Sequence, residues 1–151
     1  MKKFQFTLKA LLTFREHIEQ VAMQELAKAQ ADVNHVADLI KELETSMVAV
    51  RDELEEKSVQ GITALDMGMY LDYLQGIEQR IFEANMVLER LIVIMAQKRE
   101  ALAVKSVEKK IISNLKDKRK KEYIDSALKL AQKESDEMVL LTGLSGKMKA
   151  N

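Results

Sequence analysis

Apolar residues recur at alternating steps of four and three from Leu8 to Leu54 with almost no interruption. One set of sites, labelled a, holds Leu12, Glu19, Leu26, Val33, Ile40, Met47 and Leu54; the other, labelled d, holds Leu8, Arg15, Ala22, Ala29, Val36, Leu43 and Val50. Twelve of the fourteen sites are apolar, only Glu19 and Arg15 departing. A globular helix carries a broader and less regular stripe, so this narrow seam predicts a coiled coil.

The same spacing returns with Leu74, Ile81, Leu88, Met95 and Leu102 at a, and with Tyr70, Ile77, Ala84 and Leu91 at d. Between the two runs, residues 58–66 hold a glycine and β-branched residues but no heptad, and they read as a turn. Two long amphipathic helices joined by a short turn predict an all-α, elongated, antiparallel two-helix coiled-coil hairpin. The expected bounds are about 8–57 and 67–141, in a single domain with a frayed tail over 142–151. Placing the turn at the centre sets every a opposite a d, with Leu54 near Tyr70, Val50 near Leu74, Met47 near Ile77, Ala29 near Met95 and Ala22 near Leu102. Glu19 then falls opposite Lys105, and Leu26 opposite Lys98, whose stem must pack while its ammonium reaches water.

Beyond that level Lys98, Lys105 and Lys109 occupy core sites while Val104, Val107, Ile111 and Leu115 form a shifted stripe, which predicts a looser coil. Residues 117 to about 141 have no expected partner in the chain and form an overhang of the second helix, ended by Gly143 and Gly146. At the other end Phe4-Gln5-Phe6-Thr7-Leu8 alternates like a strand; Thr7 is a candidate N-cap, and Phe4 and Phe6 are expected to fold back on the helix start or dock on a partner.

Composition supports a helical chain: 151 residues contain no proline and only five glycines, with 32% charged residues against 5% aromatics. No cysteine is present, so a disulfide framework or thiolate metal site is excluded and a cytoplasmic location is the default expectation. Met1-Lys2-Lys3 leads into no unbroken apolar region, and the longest apolar run, Leu91 to Ala96, falls far short of the roughly 20 residues a membrane span needs. A soluble protein is expected. Charge is uneven within a neutral total: residues 38–57 are net −4 and residues 97–122 net +6.

No catalytic, cofactor or metal site is expected. Gly143-Leu144-Ser145-Gly146-Lys147 is too short between its glycines for a phosphate loop and has Met148 where a hydroxyl is needed. Ser113 and Lys116 match the spacing of a serine–lysine acyl enzyme without its companion motifs. His17 and His35 occupy outward heptad sites with no second histidine one turn away. The basic run Lys116 to Lys121 has no interleaved aromatic or base-reading element, so a solvated or partner-facing helix outweighs nucleic acid. More telling are apolar residues that a two-helix hairpin cannot bury. Leu39, Tyr73, Val87 and Ile94 fall on the g flank, and Phe82, Met86 and Val93 on outward b and f sites, which points to a partner surface.

The opening Phe4, Phe6, Leu8, Leu11-Leu12, Arg15-Glu16, Glu19, Ala22, Glu25-Leu26-Ala27 and Ala29 resembles the FliJ family of the flagellar type III export apparatus. The resemblance implies a non-enzymatic stalk or escort, similar to the two-helix coiled coil of the rotary ATP synthase gamma subunit. It would insert in the hexameric ring of the export ATPase FliI, contact the export gate FlhA and meet other export chaperones. Its location would be cytoplasmic, at the inner face of the cell membrane only through partners. Positional matching puts the gate-contacting strip on Leu39, Leu43, Ser46, Val50, Tyr73, Ile77, Arg80 and Ala84. Together with the heptad argument this nominates Leu39, Tyr73, Ile77, Arg80, Phe82, Met86, Val87 and Val93 for the gate, and Lys116, Lys118, Arg119, Lys120, Lys121, Ile124 and Leu128 for the ATPase ring. Two rivals stay open: a prefoldin-like or secretion chaperone using the hairpin as a clamp, and a nucleic-acid-binding coiled-coil arm.

Overall fold

The computed structural model describes residues 2–149, and almost all of them lie in two helices. Helix α1 spans Lys9–Gln60 (52 residues) and helix α2 spans Ala64–Lys149 (86 residues), with no strand among the described residues. The all-α hairpin with two long packed helices is therefore observed.

Only residues 61–63 separate the helices, fewer than the sequence suggested. Gly61 stops α1 by adopting a φ of 103°, a conformation that a side chain would oppose. Thr63 starts α2 at once: its Oγ1 accepts a hydrogen bond from the Asp66 amide at 3.2 Å, and its carbonyl accepts from Met67 at 3.0 Å. This is an N-cap with an acidic third residue, so Leu65 and Asp66 are helical and not part of the turn. At the other end of α2 the helix runs through Gly143 and Gly146 to Lys149, over the stretch where fraying was expected. Neither glycine there has a positive φ, and residues 150 and 151 lie outside the described residues.

By its contacts the chain groups into two compact units, Glu19–Val104 and a second made of the residues up to Ile18 with those from Lys105 onward. In Glu19–Val104 the buried residues are Ala22, Ala29, Ile40, Leu43, Leu74, Ile77 and Ala84, every one a predicted a or d site. The remaining seam residues of this unit are half-buried, as a two-helix coil allows, since each layer has solvent on both flanks. The helices run antiparallel: Lys98 Nζ lies 3.3 Å from Glu25 Oε2 and the Tyr70 hydroxyl 3.1 Å from Glu53 Oε1, each within one residue of the expected register. Lys98 also behaves as the packing required, half-buried with its ammonium drawn out to Glu25.

The unit of the chain ends corrects two expectations. First, the seam does not shift. Of the expected stripe, Val104, Val107 and Ile111 face solvent, Ile111 at 61% exposure, and only Leu115 is half-buried, while Lys105, Lys109, Ile112 and Lys116 continue the original heptad as half-buried sites. Lysine stems thus keep the register that the apolar pattern abandons. Arg15, the polar d site of α1, is neutralised there by Glu108 at 2.8 Å, with Lys105 3.7 Å from the same carboxylate.

Second, α2 is covered well past residue 117. The segment before α1 lies along it: Phe6 is buried, Phe4 and Tyr123 have ring centroids 5.6 Å apart, and the Tyr123 hydroxyl donates to the Lys2 carbonyl. Arg119 Nη1 donates to Thr7 Oγ1 at 3.0 Å, and its guanidinium sits 5.9 Å from the Phe6 ring. The Thr7 hydroxyl, expected to cap α1, therefore serves α2. Ala127 is the last half-buried residue, and from Leu128 to Lys149 every residue is exposed.

Candidate partner-binding surfaces

The side chains nominated for partners fall in two sets, one in each unit. In Glu19–Val104 the exposed apolar residues include Leu39, Tyr73, Phe82, Met86, Val87, Val93 and Ile94. Seven-residue spacing aligns Tyr73, Arg80, Val87 and Ile94 along one flank of α2, while Phe82, Met86 and Val93 form an adjoining outward line. Phe82 is 60% exposed, and nothing in the seam competes for its ring. Ile77 is the exception among the nominated residues: at 3% exposure it is the most buried residue described, and it holds the hairpin together without offering a surface. Leu43 and Ala84, taken from positional matching, are buried with it, and Val50 is half-buried. Their positions at d sites put them in the seam.

Beside this face, at the turn, an open groove of about 850 Å³ is lined in part by Ile62, Met69, Tyr70 and Tyr73. A polar latch forms one wall. Lys57 Nζ donates to the Tyr70 hydroxyl at 2.6 Å, that hydroxyl donates to Glu53 at 3.1 Å, and Lys57 pairs with Glu53 at 3.1 Å. The Lys57 nitrogen is 5.2 Å from the Tyr70 ring centre, too far for a hydrogen-bonded group lying over the face; it stands at the hydroxyl edge. The hydrogen bond from Lys57, then that from Tyr70, holds the Glu53 carboxyl below the ordinary carboxylate range. The hydrogen bond with Tyr70, then that with Glu53, raises Lys57. The sequence reading missed this latch, although Glu53 and Lys57 stand four apart on α1, the spacing of a helical ion pair. Leu65, exposed at the start of α2, was missed because residues 58–66 were assigned to the turn, whereas Met69, also exposed, lay in the expected helix and was not singled out.

In the unit of the chain ends, Lys118, Lys120 and Lys121 are exposed and Lys116 is half-buried. Arg119 differs from its neighbours because Thr7 and Phe6 already engage its guanidinium. Lys121, Ile124 and Leu128 share one helical face by their three- and four-residue spacing, with Leu128 64% exposed. Basic and apolar groups therefore adjoin on α2, just where cover by the N-terminal segment ends.

Among the described residues, no polar or charged side chain is buried and no group of histidines and carboxylates is placed to hold a metal ion. No helix among the described residues is long and apolar enough to cross a membrane. What the described surface presents is an apolar flank on the coil of Glu19–Val104 and a basic strip in the unit of the chain ends. No curated protein and no solved structure matched the chain. The family model of the flagellar FliJ protein, however, matches residues 4–145, covering α1, nearly all of α2 and Phe4 and Phe6 of the segment that docks on it, and the chain belongs to that family of flagellar export components.

Proposed function

We infer that this FliJ-family protein is a non-enzymatic stalk or escort of the flagellar export apparatus, coupling the hexameric export ATPase FliI to the membrane export gate FlhA. One observation supports this reading most: the apolar flank with Tyr73, Phe82 and Val87 belongs to one compact unit, and the basic strip with Lys118, Lys120 and Lys121 to the other. Two chemically distinct surfaces suit two partners. The apolar flank fits a partner that buries aromatic and aliphatic anchors, here assigned to FlhA. The basic strip with Ile124 and Leu128 fits an acidic wall with apolar patches, here assigned to the FliI ring, and its attraction weakens with salt.

Hydrogen exchange on the full chain, alone and with each partner, tests both assignments. FliI should protect residues 116–130 and FlhA residues 73–94, with FliI affinity falling as salt rises. Protection by FliI confined to the turn would reverse the orientation of the stalk. A second reading, the chaperone clamp, draws support from the groove at the turn, where Ile62, Met69 and Tyr73 offer apolar lining. A pull-down separates the two: a stalk recovers the ring ATPase, whereas a clamp recovers many unrelated clients.

A further inference from the structure

The distal part of α2 carries its charge in blocks. Glu134, Asp136 and Glu137 are followed by the uncharged stretch from Met138 to Gly146 and then by Lys147 and Lys149. All of these residues are helical and exposed, although Met138, Val139, Leu140 and Leu141 form the densest apolar run of the unit and stand about two-thirds free. Next to the run, the Thr142 hydroxyl already donates to the Met138 carbonyl at 2.7 Å and so is turned back on its own helix.

The apolar residues are not scattered. Leu141, Leu144 and Met148 follow the three-four spacing of a coiled-coil seam, and Glu137 and Glu134 extend the same line backward. Such a line has acid at one end, leucine in the middle and lysine beside the other end. A parallel neighbour of the same sequence would stack Glu134 on Glu134 and Glu137 on Glu137. An antiparallel neighbour places Leu141 against Leu144 in both directions, and brings Glu137 beside Met148 with Lys147 and Lys149 on either side. Opposed helix dipoles favour the same orientation.

We propose that this segment pairs antiparallel with the same segment of a second copy of the chain, Leu141 and Leu144 forming the centre and the Glu134–Glu137 block meeting Lys147 and Lys149 at both ends. The match of charge blocks identifies the occupant: the segment is complementary to itself in one direction only. About sixteen residues from each copy take part, fewer than the 20 to 30 a side of a standard interface, so association is weak and depends on concentration. The helix needs no nucleation on pairing because α2 already extends through it. The inference rests on this stretch alone and does not depend on the assignment of FliI or FlhA.

Sedimentation equilibrium of the full chain across a concentration series tests the pairing. The unaltered protein should pass from monomer to dimer, and Leu141→Glu with Leu144→Glu should abolish the dimer. Glu134→Lys with Asp136→Lys and Glu137→Lys makes the segment basic throughout, and Lys147→Glu with Lys149→Glu makes it acidic throughout. Each charge variant alone should dimerise roughly tenfold or more weakly, and an equal mixture of the two should recover association. All these positions are exposed, so helicity should be unchanged by circular dichroism, which separates lost pairing from lost folding. A protein that stays monomeric at submillimolar concentration overturns the proposal, as does undiminished dimerisation of both charge variants. So does a monomer that floats with vesicles of anionic lipid and loses this on the leucine substitutions, which would assign the face to a membrane surface.

Discussion

Arg119 and Thr7 are 112 positions apart in the chain and are joined by a 3.0 Å hydrogen bond. With Phe6 beneath the guanidinium and Phe4 against Tyr123, the bond ties the segment before α1 to the basic stretch of α2. Arg119 is thereby a structural residue beside the exposed Lys118, Lys120 and Lys121, and the two roles separate by mutation.

Phe6→Ala should loosen this attachment. The ring is 9% exposed but lies in a thin layer, so the expected loss is about 2 kcal/mol, below the ~3–5 kcal/mol of a globular core. Denaturant unfolding measures the loss, and hydrogen exchange should rise at Tyr123. Lys120→Ala, by contrast, should leave stability within about 0.5 kcal/mol and act only on partner binding.

Ile77 and Phe82 give a sharper pair on one helix. Ile77→Ala removes the most buried side chain and should cost about 2–4 kcal/mol in thermal or denaturant unfolding. Phe82→Ala should cost little stability and weaken capture of the gate protein. Equal destabilisation by the two would show that the ring of Phe82 is packed in solution and not available to a partner.

The register is tested by covalent trapping. Cysteines replacing Val50 and Leu74 should crosslink rapidly within one chain, since these seam sites are paired by the same register that brings Glu53 to Tyr70. A cysteine pair at Val36 and Ile77 should remain unlinked under the same oxidant.

Acid and alkali should open the latch at the turn from opposite sides. Glu53 titrates below its unfolded value, so its contribution is complete above the unfolded carboxylate pKa and is lost as pH falls through the lowered one. Lys57 titrates above its unfolded value, so its contribution is complete below the unfolded ammonium pKa and is lost as pH rises through the raised one. Across neutral pH the latch should therefore be constant. Amide exchange around Gly61, followed with pH, should show an acid transition that Glu53→Gln removes, leaving the alkaline one.

The seam was legible because leucine, isoleucine and alanine announce a heptad, and all the buried residues of Glu19–Val104 fell where that spacing put them. It became illegible at Lys105 and Lys109, where aliphatic stems fill core sites under a polar name while Val107 and Ile111 advertise a face that stays wet. The apolar flank with Tyr73 and Val87 could be read from the excess of hydrophobic residues over what two helices can bury. The docking of Phe4 and Phe6 could not, because a short alternating segment states only that it has an apolar side. Which surface meets that side depends on contacts more than a hundred residues away. Arg119 was assigned with its neighbours for the same reason: charge is visible in sequence, and prior commitment of that charge is not.

The left-handed Gly61 also decides the order in which the chain assembles. Contacts next to it close short loops, as between Lys57 and Tyr70 at a separation of 13, whereas Tyr123 and Lys2 are 121 residues apart. Closing the long loop first would cost more chain entropy, but each layer formed next to Gly61 shortens the loop left for the following one. Folding should therefore travel as a zipper from the turn outward, and a fault near Ile77 should delay every later layer. The docking of Phe4 and Phe6 on α2 is then the last event of folding, and on the reverse path the first to be undone.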